Sequence, residues 1–362
     1  MRIVFTSDLS GLGGGETGIA YLAEELISKG HSCLVVCRED GPFVTLLIER
    51  KVPMAVLNYK DKGRPLVSLA KLRKVISEFE ADVVLNNDPT TSLISFVSSF
   101  GLSISTYWIA HGQWYEFGKA KKTLLKFCNR KVLCVSEAVR RSLIEQGFAR
   151  TATVYLGVPT EQFRNASPVG FRNQLGIEKS VPLIITVARF QKIKGQIKAL
   201  RAAKMLKESG DCFCYAFIGG SAFGSEEDEA YRRKALQFAK EEGLFGKEVR
   251  FVGERKDIAG IMREADLLVI PSDNESLGVV ALEALSSRLP IISTPNDGVK
   301  EVLRNNTLCI AETNDEKGLY KLVHAFLQDE SAAETILAET EGYGARYQVD
   351  AVANGFIKAL DV

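Results

Sequence analysis

The chain has 362 residues, 46% of them hydrophobic and 25% charged, and a formal net charge of +1. Those proportions exclude a disordered or fibrous chain and leave room for two domains, each able to bury a core. No bulk attraction to nucleic acid follows, although the sign is uneven: residues 1–165 carry 21 basic and 16 acidic side chains, and 166–362 carry 25 and 29.

The first predicted strand, 2–7, is followed by "GLGGGETG", 11–18, and a helical run, Ile19 to Ile27. Gly13, Gly15 and Gly18 fit the G-x-G-x-x-G spacing of dinucleotide-binding turns, and Glu39 stands where a ribose-binding acid would. In such folds, however, the first glycine follows the strand at once, so that pyrophosphate meets the helix start. Here Leu9 to Leu12 intervene, and Glu39 lies between Arg38 and Asp40 as at an ordinary polar strand exit. The glycines alone do not make a nicotinamide or flavin site. Asp8 interrupts the only apolar start that could open a signal sequence, and the seven cysteines contain no C-x-x-C pair, so a reducing cytoplasm is the expected home.

Strands are predicted at 33–37, 54–58, 82–86, 104–109, 131–135 and 152–156, alternating with amphipathic helices such as 66–79. The stretch Pro89 to Tyr115 has no charged residue, but six serines and Gly101 divide it into a helix and a strand rather than a membrane span. His111 ends that strand, where a histidine bonded to a backbone carbonyl and a reactive one are equally plain readings. Next, "GKAKKTLLKFCNRK", 118–131, interleaves six basic residues with Leu124, Leu125 and Phe127. A solvated helix is the default; the alternative is peripheral adhesion to an anionic membrane or to a negatively charged lipid-linked acceptor.

The aperiodic stretch 157–176, rich in Gly, Pro and Asn, is the best linker. After it, strands are predicted at 183–187, 213–218, 249–252, 267–270, 290–293 and 308–310. The fold class is therefore α/β, with two tandem Rossmann-like domains, 1–160 and 161–342, and a crevice between the carboxyl ends of their parallel sheets. The last stretch, 343–362, is helical with no strand to serve and is expected to pack on the first domain.

Two constellations follow strands of the second half. In "TVARFQKIKGQ", 186–196, Arg189 comes just after a strand and Lys194 near the next helix start; a forked guanidinium, an ammonium and a helix terminus together suit a diphosphate. A solvated basic loop is the bland alternative. In "PSDNESLGVVALEAL", 271–285, Glu275 sits in the turn, Gly278 opens a helix, and Glu283 is embedded among Val280, Ala281, Leu282, Ala284 and Leu285. A carboxylate so placed suits vicinal ribose hydroxyls better than a solvated face.

On these residues the chain resembles the retaining glycosyltransferases of family 4, which have the two-domain GT-B fold. Arg189 with Lys194-Gly195 is similar to that family's phosphate-contacting pair, and Glu275 with Glu283 to its paired glutamates. "LPIISTPNDGVKEVL" (289–303), the opening glycine run, "ADVVLNND", "WIAHG" and "VLCVSEAV" also fall in the family's order. Arg288 departs from the usual small residue before "LP". "YLGVPTEQF", 155–163, lacks the usual Asn before Gly157 and Asp after Val158, which puts sugar contacts from that loop in question.

The resemblance implies hexosyl transfer from a nucleotide-diphosphate sugar, UDP-linked, to a hydroxyl of a glycan, lipid-linked or small-molecule acceptor, with retention. Arg189, Lys194 and the helix start at Leu277, Gly278 and Val279 would hold the diphosphate, Glu275 the donor sugar and Glu283 the ribose. Gly14 would close on the phosphates, and His111 matches a position near the reacting carbon. Backbone groups near Arg255 would grip the base, and Asn87, Asp88 and Trp114 are acceptor-side candidates. No Asp-x-Asp ends a strand, so neither a metal nor another cofactor is expected. A sugar-nucleotide epimerase of the same fold and a non-catalytic nucleotide-sugar-binding module are the competing readings.

Overall fold

The computed structural model describes residues 1–9, 11–38, 41–57, 65–113, 115–221 and 225–360. Glu39 and Trp114, both singled out above, lie outside the described residues. The chain divides into two units: Met1–Val158 with Tyr347–Val362, and Pro159–Arg346.

The first unit is built on a seven-stranded parallel sheet: β1 (Arg2–Thr6), β2 (Ser32–Cys37), β3 (Met54–Val56), β4 (Val83–Asn86), β5 (Ser105–Ala110), β6 (Val132–Cys134) and β7 (Thr151–Thr153), in the order β3-β2-β1-β4-β5-β6-β7. Its central strands are buried on both faces, which is why they read as unbroken apolar runs. The order reverses between β1 and β4, and the carboxyl ends of these two strands deliver Ser7-Asp8 and Asn87-Asp88 to the switch point, where open α/β sheets bind ligands.

The second unit has five parallel strands: β8 (Leu183–Val187), β9 (Cys214–Ile218), β10 (Val249–Gly253), β11 (Leu267–Ile270) and β12 (Ile291–Ser293), ordered β10-β9-β8-β11-β12. Its core joins Ile184, Leu200, Leu206 and Leu267 to an aromatic row in which Tyr215, Phe217 and Phe251 stack. The reversal falls between β8 and β11. Those are the strands that precede the two constellations around Arg189 and Glu275.

Three expectations change. No strand forms at 308–310; Ile310 makes one isolated bridge to Ser293, because Arg304 and Asn305 turn the chain at positive φ and only one residue reaches the sheet edge. The aperiodic stretch 157–176 contains two short helices, Thr160–Arg164 and Phe171–Leu175, the second bracketed by Gly170 and Gly176 at positive φ. Gly14 is not in a loop: Gly13 caps the helix Gly14–Ser28, and Gly14 is its first residue. In that helix Gly18 permits close packing, since a Cβ there would come within 2.8 Å of Leu156.

The helix Val349–Ala359 belongs to the first unit. It packs on the helix Gly14–Ser28, sets Phe356 against Phe5 at 6.4 Å, and ends where the Tyr107 hydroxyl donates to the Leu360 carbonyl. Val158 and Gln348 pair as a parallel bridge, and a Cβ on Gly157 would lie 2.6 Å from the Val349 Cα. Gly157 is thus a backbone crossing.

Candidate active site

In the second unit the loop after β8 is held at both ends by backbone. Ala188 donates to the Ile218 carbonyl and Phe190 to that of Gly220, while Gln196 Nε2 donates to the Arg189 carbonyl at 2.8 Å. The Arg189 guanidinium has no hydrogen-bond or ion-pair partner among the described residues. Lys192–Lys194 form a single 3₁₀ turn closed by Gly195 at φ +69°, so Lys194 precedes the helix Gln196–Glu208 rather than opening it. Gly195 is required twice over: its φ is left-handed, and a Cβ would collide with the Pro271 carbonyl oxygen.

That contact brings the loops after β8 and β11 together. Asp273 N donates to the Ile193 carbonyl at 2.8 Å, and Lys194 Nζ donates to both Glu275 oxygens at 2.8 and 2.9 Å. Ser272 Oγ adds a 2.7 Å bond to the same carboxylate. The side chains of Lys194 and Glu275 are 22% and 13% exposed, so the pair is mostly withdrawn from water. Behind the turn, Gly298 N donates to the Glu275 carbonyl at 3.0 Å, and a Cβ on Gly298 would stand 2.5 Å from that oxygen. Leu277 is buried and anchors the turn. Gly278, at φ +77°, caps the helix Val279–Ser287 without a side-chain bond; Ala281 N donates to the Gly278 carbonyl, and the Val279 and Val280 N–H groups have no bond outside the helix among the described residues. Glu283 is partly buried one turn into that helix.

Arg255 is committed elsewhere. Its Nε and Nη2 bond Asp257 at 2.8 and 2.5 Å, Nη1 bonds Gln174, and the guanidinium lies over Phe171. A phosphate or base contact from this side chain would have to break that set.

In the first unit His111 and Asn87 form one assembly. Asn87 Nδ2 faces Ser7 Oγ and Glu16 Oε1, both at 3.4 Å, so its Oδ1 accepts from His111 Nε2 at 2.5 Å and fixes the proton there. Nδ1 is shielded and has no hydrogen-bond partner among the described residues. Burial lowers the imidazole pKa to about 4, so the ring is neutral at pH 7. Gly15 makes room for it, since a Cβ there would lie 3.0 Å from Nδ1. Asp88, an acceptor-side candidate, is instead a structural cap: its Oδ1 accepts from Thr90 N and Thr91 N, and its Oδ2 from Asp8 N. Burial raises its pKa, opposed by those N–H groups.

The structure places Arg189 and Glu275 just beyond strands and His111 at a strand end, as read from the sequence, and adds the pairing of Lys194 with Glu275 and of Asn87 with His111, which the sequence did not announce. Nor did it announce Gly298 and Ser272, and the close approach of Gly195 to Pro271 depends on loops far apart in the chain.

A family model described as Glycosyltransferase Family 4 matches residues 12–162, and one described as Glycosyl transferases group 1 matches 170–341. The chain belongs to glycosyltransferase family 4. A D-inositol 3-phosphate glycosyltransferase of Corynebacterium urealyticum is 25% identical to this transferase, over 99% of this chain and 94% of the relative. The putative glycosyltransferase EpsD of Bacillus subtilis is 24% identical over 71% of this chain and 70% of its own length. Among solved structures, Anabaena HepE in complex with UDP-glucose superposes with a TM-score of 0.85 at 21% identity, covering 99% of both chains. WaaG, a glycosyltransferase involved in lipopolysaccharide biosynthesis, gives 0.69 at 17% identity over 98% of both. The transferase therefore has the GT-B fold, with sheets of seven and five parallel strands.

Proposed function

We propose that this transferase moves a hexosyl group from a UDP-linked sugar to an acceptor hydroxyl with retention, and without a divalent ion. The bond from the anomeric carbon to the diphosphate oxygen breaks, the acceptor oxygen bonds that carbon on the same face, and the acceptor proton ends on the diphosphate. The reaction's main demand is to stabilise the departing diphosphate. Arg189, whose guanidinium has no partner among the described residues, Lys194 and the N–H groups at the start of Val279–Ser287 would meet that charge. Glu275 would exchange part of its bond to Lys194 for donor-sugar hydroxyls, and Glu283 would take the ribose. In the first unit the neutral His111, whose Nδ1 has no partner among the described residues, suits a sugar or acceptor hydroxyl rather than an anion.

The observation that carries this reading is the joining of the Arg189–Lys194 loop to the Glu275 turn at the β8/β11 switch point. The test is a panel of nucleotide sugars with candidate acceptors, assayed by product mass and anomeric proton coupling with and without EDTA. Turnover that persists in EDTA and keeps the donor's anomeric configuration is expected. Complete loss in EDTA with rescue by magnesium or manganese refutes the metal-independent step, and an inverted product refutes retention. Conversion of the donor without any acceptor would favour an epimerase.

A further inference from the structure

The two adjacent helices Pro89–Ser98 and Lys119–Cys128 of the first unit carry an apolar surface that the transfer reaction does not use. From Pro89 to Ser136 the chain has one acid, Glu116, and six basic residues. Leu93, Val97 and Phe100 recur at i, i+4 and i+7 on one helix and the turn after it, and all three are exposed. Leu124 and Phe127 are exposed on the neighbouring helix, and Phe96 packs edge-on against Phe127 at 5.2 Å. Phe100 and Phe127 are 75% and 71% exposed, far beyond what a large aromatic ring in water favours.

Between these helices lies an open cavity of about 370 Å³ lined by Phe96, Phe100 and Phe127 and flanked by Arg130 and Arg150. Neither guanidinium has a carboxylate partner among the described residues: Arg130 donates to Ser105 Oγ and Arg150 to the Lys126 carbonyl. Lys119, Lys121, Lys122 and Lys126 complete the basic border. Among the described residues no helix is long and apolar enough to cross a membrane.

We infer that this face docks on an anionic lipid bilayer, with Phe100 and Phe127 entering the acyl boundary and Arg130 and Arg150 meeting lipid phosphates. Charge complementarity selects this occupant. Exposed aromatic side chains beside a nearly acid-free row of cations match a negatively charged interface, where each cation attracts lipid and each buried ring adds apolar contact. The wider patch, which includes a helix with no charge at all, distinguishes it from the basic stretch 118–131 taken alone.

Flotation of the full chain tests the inference. Vesicles of phosphatidylcholine with about a third phosphatidylglycerol are compared with pure phosphatidylcholine, at about 0.05 M and 0.5 M salt. Binding only to the anionic vesicles, weakened by salt, is expected. The double variant Phe100→Ser, Phe127→Ser should partition about tenfold less or weaker still. Arg130→Gln and Arg150→Gln should each lose about fivefold. Melting temperatures close to wild type establish that these variants are folded. Equal binding to both vesicle types, or no binding at low salt, overturns the inference. Unchanged partition of the folded phenylalanine variant overturns insertion. A lipid-independent dimer that Phe100→Ser, Phe127→Ser dissolves would assign the face to self-association instead.

Discussion

Replacing Lys194 by Met removes the ammonium that meets both Glu275 oxygens and leaves that carboxylate, only 13% exposed, bonded among the described residues to Ser272 alone. Breaking a fully buried pair costs about 3–5 kcal/mol, whereas a surface pair contributes about 0–1. The residual exposure and the surviving Ser272 bond put Lys194→Met between these limits, at about 2 kcal/mol. In a unit of this size that is roughly a 4–8 °C fall in melting temperature. Glu275→Gln strands the ammonium instead and should cost about the same or somewhat less, because Lys194 is the more exposed partner. With both partners neutral, the double variant should recover about 1–2 kcal/mol relative to the sum of the singles. Activity must behave differently. If Lys194 also stabilises the leaving diphosphate, its loss lowers turnover by about 10²–10³-fold, and the double variant does not regain it. Calorimetry and initial rates on the four proteins make the comparison. Strictly additive stability losses would refute the pair, and a double variant with near-normal turnover would refute the phosphate role.

Three more outcomes follow from the geometry. His111, held neutral with its pKa lowered to about 4, contributes stability that is complete above pH 6.5 and lost as the pH falls towards 4, because the unfolded chain takes up the proton first. Urea titrations should show wild type losing about 1.4 kcal/mol per pH unit in that window relative to His111→Gln, and identical slopes would refute the burial account. Arg288, exposed at φ +56° as the cap of Val279–Ser287, adopts a conformation that costs a side chain about 1 kcal/mol, so Arg288→Gly should raise the melting temperature by about 2–4 °C. A fall would mean that the side chain has a favourable contact there. Glu283→Gln should fold normally and bind UDP about tenfold more weakly, with 2′,3′-dideoxy UDP nearly indifferent to the change; equal losses for both ligands would remove Glu283 from the ribose.

The strands were legible because most are buried, so that apolar runs such as Leu183–Val187 and Val83–Asn86 announce themselves between helices of period 3.6. The same signal misleads at Cys309-Ile310-Ala311, where the residues are buried but only one bridges to the sheet: burial is written in composition, pairing is not. The site was legible as placement. Arg189 and Glu275 stand just beyond strands, and α/β sheets gather their ligands there. The bonds among them were not, since Lys194 and Glu275 are 81 residues apart and meet only because Gly195 lets two loops touch. Asp88 carried a readable local signal, as an aspartate directly before a proline at a helix start marks a cap. The Arg255 side chain pairs with an aspartate two residues away, a bond that leaves the backbone groups beside it unaddressed.

The return of residues 347–360 to the first unit has a consequence for biosynthesis. Phe5 and Tyr107 are completed by Phe356 and Leu360, side chains and carbonyls that leave the ribosome only after all of Pro159–Arg346. Domains generally close as units while the chain is being made. The order here is inverted: the unit encoded in the middle can finish folding while the one that began first still has an uncovered flank along Gly14–Ser28. Translation stopped before residue 349 would therefore yield a finished Pro159–Arg346 unit attached to a first unit with exposed apolar surface, a species suited to chaperone capture and proteolysis.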